Sequence, residues 1–198
     1  MTDKDSVKDV KEKEALILEA GAKIFSERNF YEVKMQEIAD EAGVGKGTIY
    51  EYFSGKEDLI GQIFKLSIYK YKEEINYEKI EGYDFWEKLE NYLIAHVDFF
   101  WENKEIGKLI INSNHPFQEK LKEWLVELRL DSIKELEYIF IEAIENHEIK
   151  KVSPILAAKI FRGIMLEIIP PSIIIEGKKP EINEIKEAVR VLKEGLEL

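Results

Sequence analysis

The 198-residue chain contains no cysteine, which excludes disulfides, thiolate zinc sites and cysteine nucleophiles together. Histidine is nearly as scarce, because only His96, His115 and His147 occur, and no two of them have the four-residue spacing of helical metal ligands. No serine lies in a nucleophile-elbow pattern, and no phosphate-binding loop of the Walker type is present. We therefore expect no metal, no cofactor and no enzymatic activity.

Long uncharged runs are also missing. Residues 1–14 carry acids and bases without an apolar stretch, so they do not form a secretory signal, and we expect a cytoplasmic protein. The most apolar segment, 152–175, still contains three charged side chains and a Pro-Pro pair, which would be costly inside a bilayer. The sequence therefore predicts no membrane partner and a helix covered by protein.

Positive charge is in deficit. The chain has 29 basic and 40 acidic residues, which gives a formal charge of −11 and argues against a nucleic-acid partner. Residues 1–60 are acidic too, with 9 basic and 14 acidic side chains. Phosphate contacts act over about 8 to 10 Å, however, so the local placement of a few lysines can outweigh net charge.

Apolar residues follow a helical period along almost the whole chain, and no alternating strand pattern with a hairpin turn is evident. The sequence therefore predicts an all-α fold. We expect helices near 9–28, 35–42, 46–52, 56–75, 83–103, 104–112, from about 117 for about thirty residues, 154–175 and 181–197.

The last two predicted helices carry more apolar surface than one domain needs. Segment 152–175 is apolar on nearly all sides, and segment 181–197 repeats apolar residues at alternating spacings of three and four, which is typical of helix pairing. We therefore expect a homodimer that buries about 2,000 Å² or more. The candidate interface residues are Ile164, Ile168, Ile185, Val189, Leu192 and Leu196.

A helix-turn-helix is indicated by the spacing of Ala39, Gly43 and Ile49, with Val44 directly after the glycine. A small residue lets two helices cross closely, a glycine accepts the left-handed turn, and a branched apolar residue fixes the second helix on the first. Such a unit projects its second helix into the DNA major groove. The same triplet would also suit the core of any helical hairpin.

More residues support the DNA-binding interpretation, because residues 15–64 resemble the tetracycline repressor (TetR) family of bacterial regulators. The matching runs are Ile17–Phe25, Glu37–Phe53 and Lys56–Leu59. The resemblance implies a three-helix DNA-binding domain over 1–55 and an effector-binding and dimerisation domain over 56–198. It also implies a homodimer, formed mainly by the last two helices, that binds double-stranded operator DNA.

The resemblance further implies a repressor that a small hydrophobic or aromatic effector releases from its operator. The alternative is a helix-turn-helix protein that acts mainly through protein–protein contacts or nucleoid organisation. An apolar cavity between the long helices would favour the first, and a filled core the second.

The candidate DNA contacts lie at the helix-turn-helix. Lys34 stands where family members usually carry Thr or Ser, so its charge is expected to replace a hydroxyl–phosphate contact, and Gly45 replaces a common serine. Tyr50 and Tyr52 are expected to give hydroxyls to phosphates, with core packing as the alternative. The full set is Lys34, Gln36, Gly45, Lys46, Gly47, Thr48, Tyr50, Tyr52 and Lys56.

The second half of the chain is rich in aromatic residues, which would form its core and could also line a pocket for an apolar molecule. His96 lies on the apolar face of its predicted helix, either as a hydrogen-bonded core residue or as a polar anchor for an effector. The candidate effector residues are Phe64, His96, Phe100, Trp124, Phe161 and Arg162.

Overall fold

A computed structural model describes residues 3–75, 84–111, 116 and 118–196. The described part is all-α and contains no strand, which confirms the predicted fold class. The helices are α1 (Asp3–Glu27), α2 (Met35–Glu41), α3 (Lys46–Tyr52), α4 (Lys56–Glu74), α5 (Phe85–Glu102), α6 (Lys104–Ile111), α7 (Gln118–Glu145), α8 (Pro154–Pro170) and α9 (Ile182–Leu196).

Most helix ends fall within a few residues of their predicted positions, and α3 has the predicted bounds. The exception is α1, which begins at Asp3 rather than near residue 9. Its first turns lack the apolar period on which the prediction relied.

The chain forms two compact units, Met1–Lys70 with Glu105–Lys122 and Tyr71–Lys104 with Glu123–Leu198. In the first unit, α1 packs on α2 and α2 packs on α3. A Cβ atom on Gly21 of α1 would lie 3.1 Å from side-chain carbons of both Leu59 and Ile63 on α4. The glycine therefore permits a close approach of α1 and α4.

In the second unit, α5 packs against both α8 and α9. Aromatic rings fill the space between α5, α7 and α8, where the Phe161 ring lies 6.2 Å from Tyr92 and 6.4 Å from Phe140, centroid to centroid. All three side chains are fully buried. Each aromatic side chain buries a large apolar area, so these three rings contribute strongly to the stability of the core.

Helix α8 begins at Pro154 after the extended residue Ser153, as predicted, and changes character at the Pro-Pro pair. Pro171–Ile175 form a π-helical turn, closed by a 3.0 Å hydrogen bond from the Glu176 amide to the Pro171 carbonyl. Proline has no N–H to donate to the α-helical hydrogen-bond pattern. The chain therefore forms a wider π-helical turn at this point. None of the described helices is long and apolar enough to cross a membrane.

Two predicted interface residues serve the core of their own chain. Ile185 and Val189 of α9 are each only 1% exposed and belong to the apolar core of the second unit. The seam on α9 therefore pairs with α5 inside the chain, and almost none of its central surface is left for a partner. Leu192 and Leu196 also pack against this core while remaining half-exposed.

Candidate nucleic-acid interface and buried polar cluster

The turn between α2 and α3 has the geometry that the sequence predicts. Gly43 has a φ of +68°, in the left-handed region, and the Val44 amide donates a 2.9 Å hydrogen bond to the Ala39 carbonyl. Ala39 and Ile49 are completely buried at the crossing of the two helices. A side chain at position 43 would be strained here, because residues with a Cβ rarely adopt this conformation.

Helix α3 presents a polar outer face. Its N-cap is Gly45 in an extended conformation, followed by exposed Lys46 and Gly47. Tyr50 is 49% exposed, whereas Ile49 is fully buried on the opposite side. Thr48 and Tyr52 are half-exposed. The structure thus places six of the nine predicted DNA contacts on α3 or at its N-cap, whereas Lys34 and Gln36 lie at the start of α2 and Lys56 at the start of α4.

Glu37 organises the start of α2. Its carboxylate accepts a 2.7 Å hydrogen bond from the Lys34 amide and another of 2.7 Å from the Arg28 guanidinium. Arg28, and secondarily the Lys34 amide, hold the pKa of Glu37 below its ordinary value. The Lys34 side chain is exposed, and Gln36 donates to Asp40 at 2.7 Å. The Glu37 carboxylate therefore fixes the α2 backbone and leaves the Lys34 ammonium outside.

The acids of α2 all have partners. Glu41 is bound by Lys23 at 2.5 Å, in addition to the Arg28–Glu37 and Gln36–Asp40 contacts. Exposed pairs of this kind contribute little to stability. They do affect the local charge, because Glu37 pairs with Arg28 and Glu41 pairs with Lys23 within the first unit. The pairing leaves the net charge of residues 1–60 as it is, but it neutralises two carboxylates on the helix that packs against α3.

Lys56 has a contact that the sequence did not predict. Its ammonium donates to the carbonyls of Phe30 at 2.8 Å and Tyr31 at 3.3 Å, and it lies 4.8 Å from the centroid of the Phe30 ring. Two of its three donors therefore hold the loop after α1 against the start of α4. The predicted phosphate contact would have to use the remaining donor.

The predicted effector residues do not all lie together. Phe64 is buried in the first unit, whereas the other five lie in the second. Phe161 is a fully buried core residue, and Phe100 and Trp124 are half-buried. A separate, solvent-open depression near the start of α5 contains none of the predicted effector residues. Its lining residues are Asp84, Phe85, Lys88, Ile139, Glu142, Ala143, Asn146 and Glu148.

His96 is the centre of a buried polar cluster. It is completely buried, and burial lowers its pKa to about 4, so the ring is neutral near pH 7. Its Nδ1 lies 2.8 Å from the Tyr92 carbonyl and its Nε2 3.1 Å from the Tyr71 hydroxyl. Because a carbonyl only accepts, Nδ1 carries the proton and Nε2 accepts from Tyr71.

Besides the α5 helix that carries His96, side chains of α4, α7 and α8 contribute to the cluster. Burial raises the pKa of Tyr71 to about 12 and raises that of Tyr92 as well. The Tyr92 hydroxyl donates to Glu135 at 3.4 Å, and Arg162 Nε donates to Ser132 Oγ at 3.1 Å. Sequence reasoning selected only the histidine and the arginine. The available signal was the pair of tyrosines at apolar positions, since a buried hydroxyl needs a partner.

Comparison with known proteins agrees with the geometry of the first unit. Residues 17–63 match the family described as bacterial regulatory proteins, tetR family. The chain is 32% identical over 110 residues to the uncharacterized HTH-type transcriptional regulator YhgD of Bacillus subtilis (strain 168), a match covering 50% of this chain and 58% of that protein. This chain therefore spans less than two thirds of that relative.

A second relative carries a metabolic name. The chain is 25% identical over 135 residues to the fatty acid metabolism regulator protein of Bacillus subtilis (strain 168), with 68% of this chain and 70% of that protein covered. Among solved structures, FadR from Bacillus subtilis in complex with stearoyl-CoA has a TM-score of 0.68 at 23% identity, covering 90% of this chain and 96% of that one.

The fatty acid degradation regulator FadR from Bacillus halodurans has a TM-score of 0.72 at 21% identity, with 91% of this chain and 94% of that chain covered. At such identities, the structural likeness establishes a shared fold. It extends the similarity beyond the DNA-binding segment to most of the chain.

Proposed function

Because the chain belongs to the tetR family of bacterial regulatory proteins, we propose that it is a transcriptional regulator that binds operator DNA through α3. The observation that carries this proposal is the outer face of α3, where Lys46, Gly47 and Tyr50 are exposed on a helix anchored by buried Ile49. A bacterial operator lies in the cytoplasm, so we place the action of the protein there and assign it no catalytic activity.

The functions proposed for the two domains use the boundaries that the sequence predicts. Residues 1–55 would contact DNA, and residues 56–198 would bind the effector and the second subunit. Helix α4 begins at Lys56 in the first compact unit, and its last turn, from Tyr71, belongs to the second compact unit. An effector that favoured one position of α4 would shift the population between DNA-binding and released states.

The proposed contacts differ in kind. Lys34 and Lys46 would bind phosphates by charge, and the hydroxyls of Thr48, Tyr50 and Tyr52 would bind them by hydrogen bonds. Gly47 leaves open space above the backbone, with nothing within 4 Å of a Cβ at that position, and a Cβ at position 45 would meet only Thr48 Oγ1, at 3.6 Å. DNA could thus approach the first turn of α3 closely. Gln36 would add a contact after giving up Asp40, and Lys56 would add one with its remaining donor.

The proposed effector is a small molecule with a large apolar part. This proposal is supported by the FadR structure from Bacillus subtilis, which has a similar fold and is described in complex with stearoyl-CoA. We propose that effector binding releases the operator, so that the protein acts as a repressor. A chain that bound DNA without any ligand response would instead fit a role in protein contacts or nucleoid organisation.

The test starts with selection of a duplex from a random DNA pool by the purified protein. With that duplex, Lys46→Ala and Tyr50→Ala should each weaken binding by about 1 to 3 kcal/mol, measured by fluorescence anisotropy at fixed salt. Lys46→Ala should also lower the slope of log affinity against log salt by about 1, because one phosphate contact is lost.

Two matched variants serve as controls. Lys65 and Tyr69 are exposed residues of the same types, well beyond the start of α4. Lys65→Ala and Tyr69→Ala should bind the selected duplex like the wild type. If the α3 variants kept full affinity, or if the control variants lost as much, the assignment of α3 to DNA would be wrong.

A further inference from the structure

Among the residues that the structure describes, two of the four arginines of this acidic chain have no acidic partner. Arg28 binds Glu37 at 2.7 Å, and Arg190 binds Glu187 and Glu194 within its own helix. By contrast, no carboxylate oxygen of the described residues lies within 4.0 Å of the Arg129 or Arg162 guanidinium. In a chain with 40 acidic residues, two neighbouring unpaired arginines require an explanation.

Ser132 brings Arg162 to α7 one turn after Arg129. Its hydroxyl group accepts a hydrogen bond from Arg162 Nε at 3.1 Å and donates one to the backbone carbonyl of Arg129 at 3.4 Å, and the serine itself is buried. Only the Nε–H of Arg162 is therefore used by the described part of the protein. The two terminal nitrogens, which form the fork that binds carboxylates and phosphates, remain available.

The carboxylates of α7 that are nearest to Arg129 and Ser132 in sequence contact other residues. Asp131 and Glu127, close to Arg129 in sequence, lie 3.0 and 3.6 Å from the Lys72 ammonium. Glu135 accepts from the Tyr92 hydroxyl. Positions three and four residues from Arg162 hold Ala158, Lys159, Met165 and Leu166, so α8 offers no acid either. Acids near Arg129 are thus engaged by Lys72, and the adjacent turns of α8 offer none to Arg162.

This arrangement has an energetic cost. Arg162 is half-buried, and desolvation, followed by the positive charge of Arg129, lowers the pKa of its guanidinium. Both groups stay charged at pH 7, because arginine does not lose its proton in that range. An anion placed between them would relieve the repulsion and replace the lost hydration.

We propose that Arg129, Ser132 and Arg162 form an anion-binding site that holds the carboxylate or phosphate head group of an amphiphilic effector. Val126 and Leu130, one turn apart on α7 beside Arg129, are both more than half exposed and offer apolar surface to the tail. The site rests on the proposed function in one respect, namely that the bound anion is the effector.

The test uses decanoate, decanoyl-CoA and decan-1-ol below their micelle concentrations, titrated into the full chain by calorimetry. Arg162→Gln and Arg129→Gln should each weaken binding of an anionic probe at least ~10-fold, whereas decanol, without an anion, should bind all variants equally. Arg162→Lys should fall between wild type and Arg162→Gln, because it keeps the charge and loses the fork. Arg190→Gln is the matched control and should bind like the wild type.

Comparison of the three probes also identifies which anionic group the site binds. Tight binding of decanoate points to a carboxylate, and tight binding of decanoyl-CoA alone points to the CoA phosphates. The proposal is overturned if neither anionic probe binds the wild type more tightly than it binds Arg162→Gln and Arg129→Gln. Since Arg129 is exposed, its variant serves as the test if Arg162→Gln does not fold. Operator binding without ligand is scored separately, so failure of the anion site leaves the DNA-binding proposal standing.

Discussion

At the scale of single residues, His96 makes the second unit sensitive to pH. The ring is buried neutral with a pKa near 4, whereas the unfolded chain would have the ordinary value of 6.5. Between these values the unfolded state binds more protons, so stability is complete above pH 6.5 and falls as the pH drops toward 4.

We expect this residue alone to cost about 2 kcal/mol of unfolding free energy between pH 7.5 and pH 5. Urea titrations followed by tryptophan fluorescence would measure it, because Trp86, Trp101 and Trp124 all lie in the second unit. His96→Gln should remove this part of the pH dependence. His147→Asn should keep it, since His147 is exposed and asparagine tolerates its φ of 60°. Equal slopes in wild type and His96→Gln would show that His96 is not the group responsible.

At the scale of elements, the joint between α2 and α3 depends on one backbone conformation. Gly43→Ala should destabilise this pair by about 1 to 2 kcal/mol, because alanine is strained at a φ of +68°. Gly47→Ala, inside α3 with open space around it, should instead stabilise the helix by about 0.5 to 1 kcal/mol.

Hydrogen exchange over residues 35–52 reports the two effects separately from the rest of the chain. Protection should fall in Gly43→Ala and rise in Gly47→Ala. Operator affinity should drop in both, in the second because a methyl group would stand where DNA approaches. A gain of protection in Gly43→Ala would contradict the role given to this turn.

At the scale of the whole molecule, we expect a homodimer that uses the outer side of α8. Ile160 is 49% exposed and Leu166 43%, and Leu156 is exposed on the same helix. Half-buried Ile164 and Ile168 flank these residues. Such an apolar face on a helix is typical of an interface.

Ile160→Glu should convert the dimer into folded monomers, seen as a halved mass in light scattering with an unchanged circular dichroism spectrum. Leu16→Glu on α1, at similar exposure, is the control and should remain dimeric. Val189→Glu should unfold the second unit, because a charge would replace a side chain that is 1% exposed in the core. A clean Ile160→Glu dimer would place the interface elsewhere.

Much of the fold could be predicted because helical periodicity and its breaks are local. The bounds of α3, the N-terminus of α8 at Ser153-Pro154 and the turn at Gly43 all follow from residues within a few positions of one another. The candidate DNA contacts lie within 23 residues of sequence, so the order of the chain alone places them together.

The tertiary structure decided what contacts each helix face. An apolar seam on α9 has the same pattern whether it meets α5 or a second subunit, and only packing assigns Ile185 and Val189 to the core. The polar cluster likewise combines Tyr71, His96, Ser132 and Arg162 from four different helices. The spacing of residues within a helix does not reveal which helices pack together, because helices that are in contact are separated by many residues in sequence. The sequence determined the helices and the helix-turn-helix motif. Long-range packing determined the polar cluster, the contacts of Lys56 with the loop after α1 and the side of α8 that remains exposed.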